Sequence, residues 1–211
     1  MADPVKTSGR RAESARRTRR AIVDAARDLF VADGYGTTPI TAIADRAGVA
    51  VQTVYAVFGT KRAILAEALD LAIAGDELPV AVNDRDWMRD VFGATSAAER
   101  LGAYAAAVRR IMEGAGDVFV VLSAAAAVDP EVAELATSAE RRRRTGAASV
   151  VDAVRDVGSL RPGLSRAAAV DVLSLLNSPA TFQHLVRRSG WSPARYEAWL
   201  AGAMRRELLA D

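Results

Sequence analysis

The sequence predicts an all-α protein: an N-terminal three-helix helix-turn-helix domain followed by a C-terminal helical bundle. Three observations carry this. Apolar residues recur at three- and four-residue steps along most of the 211 positions, as one buried helix face requires. The breaks in that spacing fall at Gly, or at Ser, Thr or Asp followed by Pro, the residues that stop and start helices. The charge is uneven: residues 1–62 hold eleven Lys/Arg against six Asp/Glu, whereas the rest hold 17 against 20, so a +5 end adjoins a −3 remainder. An end with that excess suits a polyanion.

The first element is not expected to be regular. Residues 1–15 carry Pro, Ser, Thr, Gly and Arg without apolar periodicity and read as a disordered basic arm. A first helix follows, with Ile22, Ala25, Ala26, Leu29 and Phe30 on one stripe and Gly34 as its stop. Thr38-Pro39 reads as an N-cap followed by proline at the first helical position. The second helix then carries Ile40, Ile43, Ala44 and Ala47, and ends at Gly48, where a sharp turn needs positive φ. A short third helix over 51–57 puts Val51, Val54 and Phe58 on its apolar face. Gly59-Thr60 ends it, and a fourth runs from Lys61 with Ile64, Leu65, Ala68, Leu69 and Ala72 inward to Gly75. These elements make residues 16–75 a first domain and 76–211 a second.

In the second domain a short helix over 86–92 precedes Ser96-Ala-Ala-Glu99, a capping box that opens a helix holding Leu101, Tyr104, Val108 and Ile111. Residues 117–128 are almost wholly apolar and read as a separate central helix, with a buried strand as the alternative. Asp129-Pro130 opens a helix reaching 156. Ser165 caps one that Pro179 kinks on its way to 188, and Ser192-Pro193 caps the last. The last two helices, 165–188 and 193–209, are the expected homodimer interface, forming an intermolecular four-helix bundle.

Composition narrows the function. With 51% hydrophobic and 26% charged residues the chain reads as soluble. Its longest apolar run, 118–128, is about half the ~20 residues that span a bilayer, so no membrane partner is expected. Residues 21–30 are too interrupted by charge for an export signal, and a cytoplasmic location is expected. There is no cysteine and one histidine, His184, which leaves no thiolate or His-rich metal site and predicts no metal and no cofactor. An enzyme on a helical bundle would need an acid, base, nucleophile or ligand constellation in the second domain; none is visible, so no catalytic residue is assigned. Arg141 to Arg144, about 100° apart around a helix, cannot all face one partner and read as a solvated stretch.

Residues 39–65 carry the chemistry. Two short helices joined at a glycine and packed through Ile43, Ala44, Ala47, Val49 and Val54 present the second of them to a DNA major groove. Gln52 there suits an adenine edge, Val51 a thymine methyl, and Thr53 and Tyr55 the phosphates. Lys61 and the N-terminus of its helix suit a further phosphate. Arg16, Arg17 and Arg20, with Arg10, Arg11 and Arg19, are placed to track phosphates or the adjacent minor groove, which would make affinity salt dependent.

Gly34-Tyr35, Thr38, Ile43-Ala44, Ala47-Gly48-Val49, Thr53, Tyr55, Phe58 and Lys61 together resemble the helix-turn-helix signature of the TetR family, over residues 16–72. More weakly, residues 158–165 and 190–200 are similar to stretches in some members. The resemblance implies a homodimer on double-stranded palindromic operator DNA, with Thr38 and Thr41 in the DNA-facing set. It also implies an unidentified small-molecule effector that alters the spacing of the two reading heads, with repression as the family default. Pro39, Thr41 and Val57 depart from the residues usual in the family, so fewer phosphate contacts are implied there. Trp87, Tyr104, Met112, Phe119 and Phe182 are the candidates for lining an apolar effector pocket, although each also suits a plain core. An effector-free DNA-binding regulator is the alternative.

Overall fold

The computed structural model describes residues 4–78 and 80–210, with side chains from residue 11 onward. Every regular element among them is helical: α1 Pro4–Asp33, α2 Ile40–Ala47, α3 Val51–Phe58, α4 Lys61–Ala74, α5 Asp86–Gly93, α6 Ala97–Ala126, α7 Pro130–Val157, α8 Arg166–Leu176, α9 Pro179–Phe182 and α10 Pro193–Leu208. A single 3₁₀ turn, Val82–Asp84, and a π-helical segment, Gln183–Arg188, complete the described elements.

The helices form two compact units, and these do not follow the division at residue 75. One unit comprises residues 1–71 with 117–135; the other comprises 72–116 with 136–211. The smaller unit buries Ile22, Phe30, Ile43, Ile64, Leu65 and Leu69 completely or nearly so. In the larger one Leu101, Leu173, Phe182, Tyr196, Leu200 and Met204 are buried to the same degree. Both cores rest on the apolar spacing seen in the sequence.

Four local expectations are corrected. The region read as an irregular arm is helical from Pro4, so α1 is 30 residues long. Proline at a helix start costs no hydrogen bond, and the Ala, Glu and Arg residues behind it favour helix once α1 is nucleated by its buried stripe. Residues 1–3 and the side chain of Arg10 lie outside the described residues. Pro39, not Thr38, is the N-cap of α2, at φ −80° and ψ 155°. Thr38 instead turns its hydroxyl back to donate to the Gly34 carbonyl at 2.7 Å.

Residues 97–126 form one helix, with no break before residue 117. Val118, Val121, Leu122 and Ala125 are buried while Val120 is 48% exposed, a one-faced pattern that a strand would not give. Gly114 inside α6 does not end the helix; it admits a neighbour, because a Cβ there would stand 2.6 Å from the Ala72 carbonyl oxygen. The helix expected to kink at Pro179 stops at Leu176 and starts again. Ser178 caps the new turn, accepting from the Thr181 N–H at 3.1 Å. The Ser96–Glu99 capping box forms as expected, each residue's side chain accepting from the other's backbone N–H at 3.2 Å.

Candidate nucleic-acid interface

The reading head is built by a tight junction between α2 and α3. Gly48 adopts φ +68°. Its N–H donates to the Asp45 carbonyl at 3.2 Å and the Val49 N–H reaches the Ala44 carbonyl at 3.0 Å, a Schellman closure that only a residue at ease with positive φ supports without strain. Ile43, Ala44 and Val54 are buried beneath the junction. With Val54 pinned inward, the 100° step of the helix sends Gln52 and Tyr55 outward; both are exposed, Tyr55 by 53%. Thr53 and Val51 are half-buried beside them, and Thr41 on α2 is exposed. No side chain caps the α3 N-terminus at Ala50. The partial positive charge of that helix end favours an anion beside it.

The basic side chains divide into those held by the protein and those presented to solvent. Arg16 and Arg17 on α1 are exposed. Arg20 is half-buried and donates to Asp24 at 2.7 Å. Arg19 grips Glu67 with two nitrogens, one at 2.6 Å, and lies 4.5 Å above the Phe58 ring, which fixes α1 against α3 and α4. Arg46 pairs with Asp28 at 3.1 Å.

Two residues expected at DNA are turned inward. Thr38 is 2% exposed, its hydroxyl donating to Gly34. Lys61 donates to the backbone carbonyls of Tyr35 at 2.8 Å and Thr38 at 3.0 Å, with its ammonium 4.4 Å above the Tyr35 ring. Two of its three N–H groups thus hold the loop between α1 and α2, leaving one for an external acceptor. Burial lowers the Lys61 pKa, opposed by the Asp129 carboxylate. Burial raises the Tyr35 pKa, aided by Asp129 and Glu131. Sequence spacing gave no sign of this acidic turn, which lies nearly 70 residues along the chain; Glu131 also pairs with Arg62 at 3.5 Å.

Residues 22–68 match the family model for bacterial regulatory proteins of the tetR family. The match covers the α2–α3 reading head, from the buried stripe of α1 to the middle of α4. The whole chain also has the fold of TetR-family regulators. It covers 94% of its length on NalD of Pseudomonas aeruginosa, the secondary repressor of the MexAB-OprM multidrug efflux pump, and 98% of that chain, at 22% identity and TM-score 0.70. A transcriptional regulator of Saccharomonospora viridis solved in complex with choline gives 22% identity over 92% of this chain and 98% of that one, TM-score 0.68. A TetR-family regulator from a Rhodococcus species gives 18% over 90% and 97%, TM-score 0.66. No curated protein matches in sequence.

The effector candidates scatter. Tyr104, Met112 and Phe182 are buried in the larger unit. Trp87 is half-buried there, with the Arg110 guanidinium 5.7 Å above its ring, and Phe119 belongs to the smaller unit. Sequence reasoning missed the polar residues around Tyr104. Asn177 is 2% exposed and its amide donates to the Tyr104 hydroxyl at 2.6 Å. Arg143, from the stretch read as solvated, keeps only 15% of its side chain exposed and donates to the Ser174 carbonyl at 2.6 Å and to the Asn177 side-chain oxygen. Arg141, Arg142 and Arg144 are exposed, as the 100° argument requires.

Proposed function

We propose that the chain is a TetR-family regulator that binds a palindromic operator as a homodimer, reads it with Gln52, Thr53, Tyr55 and Val51 of α3, and acts as an effector-controlled repressor. The observation that carries the DNA-reading part is the α3 surface: a pinned helix with Gln52 and Tyr55 projecting from its outer face and an uncapped, partly positive N-terminus beside them. Gln52 matches the paired donor and acceptor of an adenine edge, and the Tyr55 hydroxyl and α3 amides match phosphates. Thr41, Arg16 and Arg17 extend the surface to flanking phosphates.

Dimerisation through α8 and α10 follows the family resemblance, and Leu175 of α8, 69% exposed in the single chain, is a residue such an interface would cover. Control by a small molecule is supported by the likeness to NalD, a repressor, and to the regulator crystallised with choline. An effector lowers operator affinity only by its preference for the conformation that cannot reach both half-sites.

The test is fluorescence anisotropy with the full chain and the DNA flanking its own gene, against a scrambled duplex and over a salt series. Specific binding that falls at least tenfold in Gln52→Ala and in Tyr55→Ala, with the melting curve unchanged, is the expected result. Equal binding to both duplexes would remove sequence-specific autoregulation.

A further inference from the structure

We infer that the buried polar cluster of the larger unit, formed by Tyr104, Arg143, Ser174, Asn177 and Tyr196, is a binding site for an organic carboxylate. As the identity of the effector, this rests on the effector-controlled reading above.

The cluster draws on α6, α7, α8 and α10 and stands in an otherwise apolar core. Its hydrogen bonds have one consistent direction. A guanidinium only donates, so Asn177 must offer Arg143 its oxygen; its amide nitrogen then faces Tyr104, whose oxygen accepts. The Tyr104 proton is left to be donated onward. Two further hydroxyls are buried and reach no partner among the described residues, Ser174 Oγ and Tyr196 OH, on side chains 6% and 0% exposed. Buried polar groups are nearly always paired, so two orphans around one network mark a place built for another molecule. Burial holds the Tyr104 hydroxyl protonated, with its pKa pushed up to about 12, and raises that of Tyr196 further still, helped by the nearness of Tyr104. Both therefore present O–H donors at neutral pH.

Arg143 gives Nη1 to Ser174 and Asn177, and Nε and Nη2 to Glu140 at 2.9 and 2.7 Å. The capacity left at the cluster is that of three hydroxyls beside this guanidinium: Tyr104, whose oxygen already accepts from Asn177, and the unpaired Ser174 and Tyr196. Three O–H donors beside a positive charge match the two oxygens of a carboxylate. An alcohol takes fewer of them, and a quaternary ammonium takes none.

The backbone beside the cluster is irregular. α8 stops one residue before Asn177, and from Gln183 the chain winds as a π-helix, with the Ser189 N–H donating to the His184 carbonyl at 2.9 Å. Such segments recur at functional sites. Phe182, the last residue before the π-turns, packs edge-on against Tyr196 with ring centres 5.2 Å apart. Phe182 offers apolar surface beside the Tyr196 ring for the body of the ligand.

The full-length protein is titrated calorimetrically with two matched sets, octanoate, octanol and octyltrimethylammonium, and benzoate, benzyl alcohol and benzyltrimethylammonium; operator release is followed by anisotropy. At least one carboxylate is expected to bind tenfold or more tightly than its alcohol and ammonium partners. Tyr196→Phe and Ser174→Ala, which keep the core volume, are each expected to weaken it threefold or more. Carboxylates that bind no better than their partners, that bind the double variant equally well, or that do not bind at all overturn the inference. If an alcohol or ammonium binds and releases DNA, the effector reading stands without this site. If a carboxylate binds through Tyr196 and Ser174 but releases no DNA, the site stands and the effector reading fails.

Discussion

Replacing Lys61 with methionine separates an internal role from a DNA contact. The side chain keeps its length and loses its charge. Its two hydrogen bonds, at 2.8 and 3.0 Å to the Tyr35 and Thr38 carbonyls, are charge-assisted, a class worth about 1.5–3 kcal/mol each when dry. Lys61 is half-buried, so water recovers part of that loss, and the cation–π contact with Tyr35 adds about 0.5–1 kcal/mol. The net expectation is a loss of about 2 kcal/mol, which lowers the melting temperature of a chain this size by roughly 4–8 °C. The DNA readout discriminates. Each phosphate contact contributes about 0.9 to the slope of log affinity against log salt, so a dimer whose two Lys61 residues served phosphates first would lose about 1.8 from that slope. Thermal melting and salt-dependent anisotropy on the same preparation are expected to show lower stability with the slope nearly unchanged. Unchanged stability with a slope lower by about 1.8 would refute the reasoning.

Three further expectations follow from particular contacts. In Gly114→Ala the added Cβ meets the Ala72 carbonyl oxygen at 2.6 Å; overpacking of about 1–3 kcal/mol outweighs the helix-propensity gain of about 1 kcal/mol, so urea unfolding is expected at lower denaturant, and a higher midpoint would show that the backbone yields freely. Ser96→Ala removes the acceptor for the Glu99 N–H and is expected to cost about 1 kcal/mol in the same assay, whereas no loss would mean that water replaces the cap. The Arg85 guanidinium, donating at 2.6 Å, holds the Asp76 carboxyl below its ordinary pKa. A depressed folded-state value contributes stability above the unfolded pKa, near 3.9, and that stability is lost as pH falls through the folded value. Asp76→Asn is therefore expected to be less stable at neutral pH and to narrow its difference from the parent chain in acid; a difference constant with pH would contradict the pairing.

Much of the reading head was legible because its determinants are local. Gly48 had to stand where the chain turns with positive φ, Ile43, Ala44 and Val54 had to be apolar at fixed offsets, and those constraints leave Gln52 and Tyr55 outside. Ser96–Glu99 and Ser165 were readable for the same reason, since a cap and the amide it serves lie within three residues. The inward hydrogen bonds of Lys61 and Thr38 were not legible because their partners, the carbonyls of Tyr35, Thr38 and Gly34, are backbone atoms, and backbone acceptors leave no mark in a sequence.

By itself the sequence determined the helices, their caps and the surface of α3, through periodicity and short-range hydrogen bonding. Tertiary structure alone decided the rest. It drew residues 117–135 into the smaller unit, placing Asp129 and Glu131 near Tyr35. It also turned one arginine of four into the core, where Arg143 meets Asn177 and, through it, Tyr104. The physical reason is common to both. A charge or a buried amide takes its meaning from groups that close approach of distant helices brings within a few ångströms, and spacing along the chain holds no record of that approach.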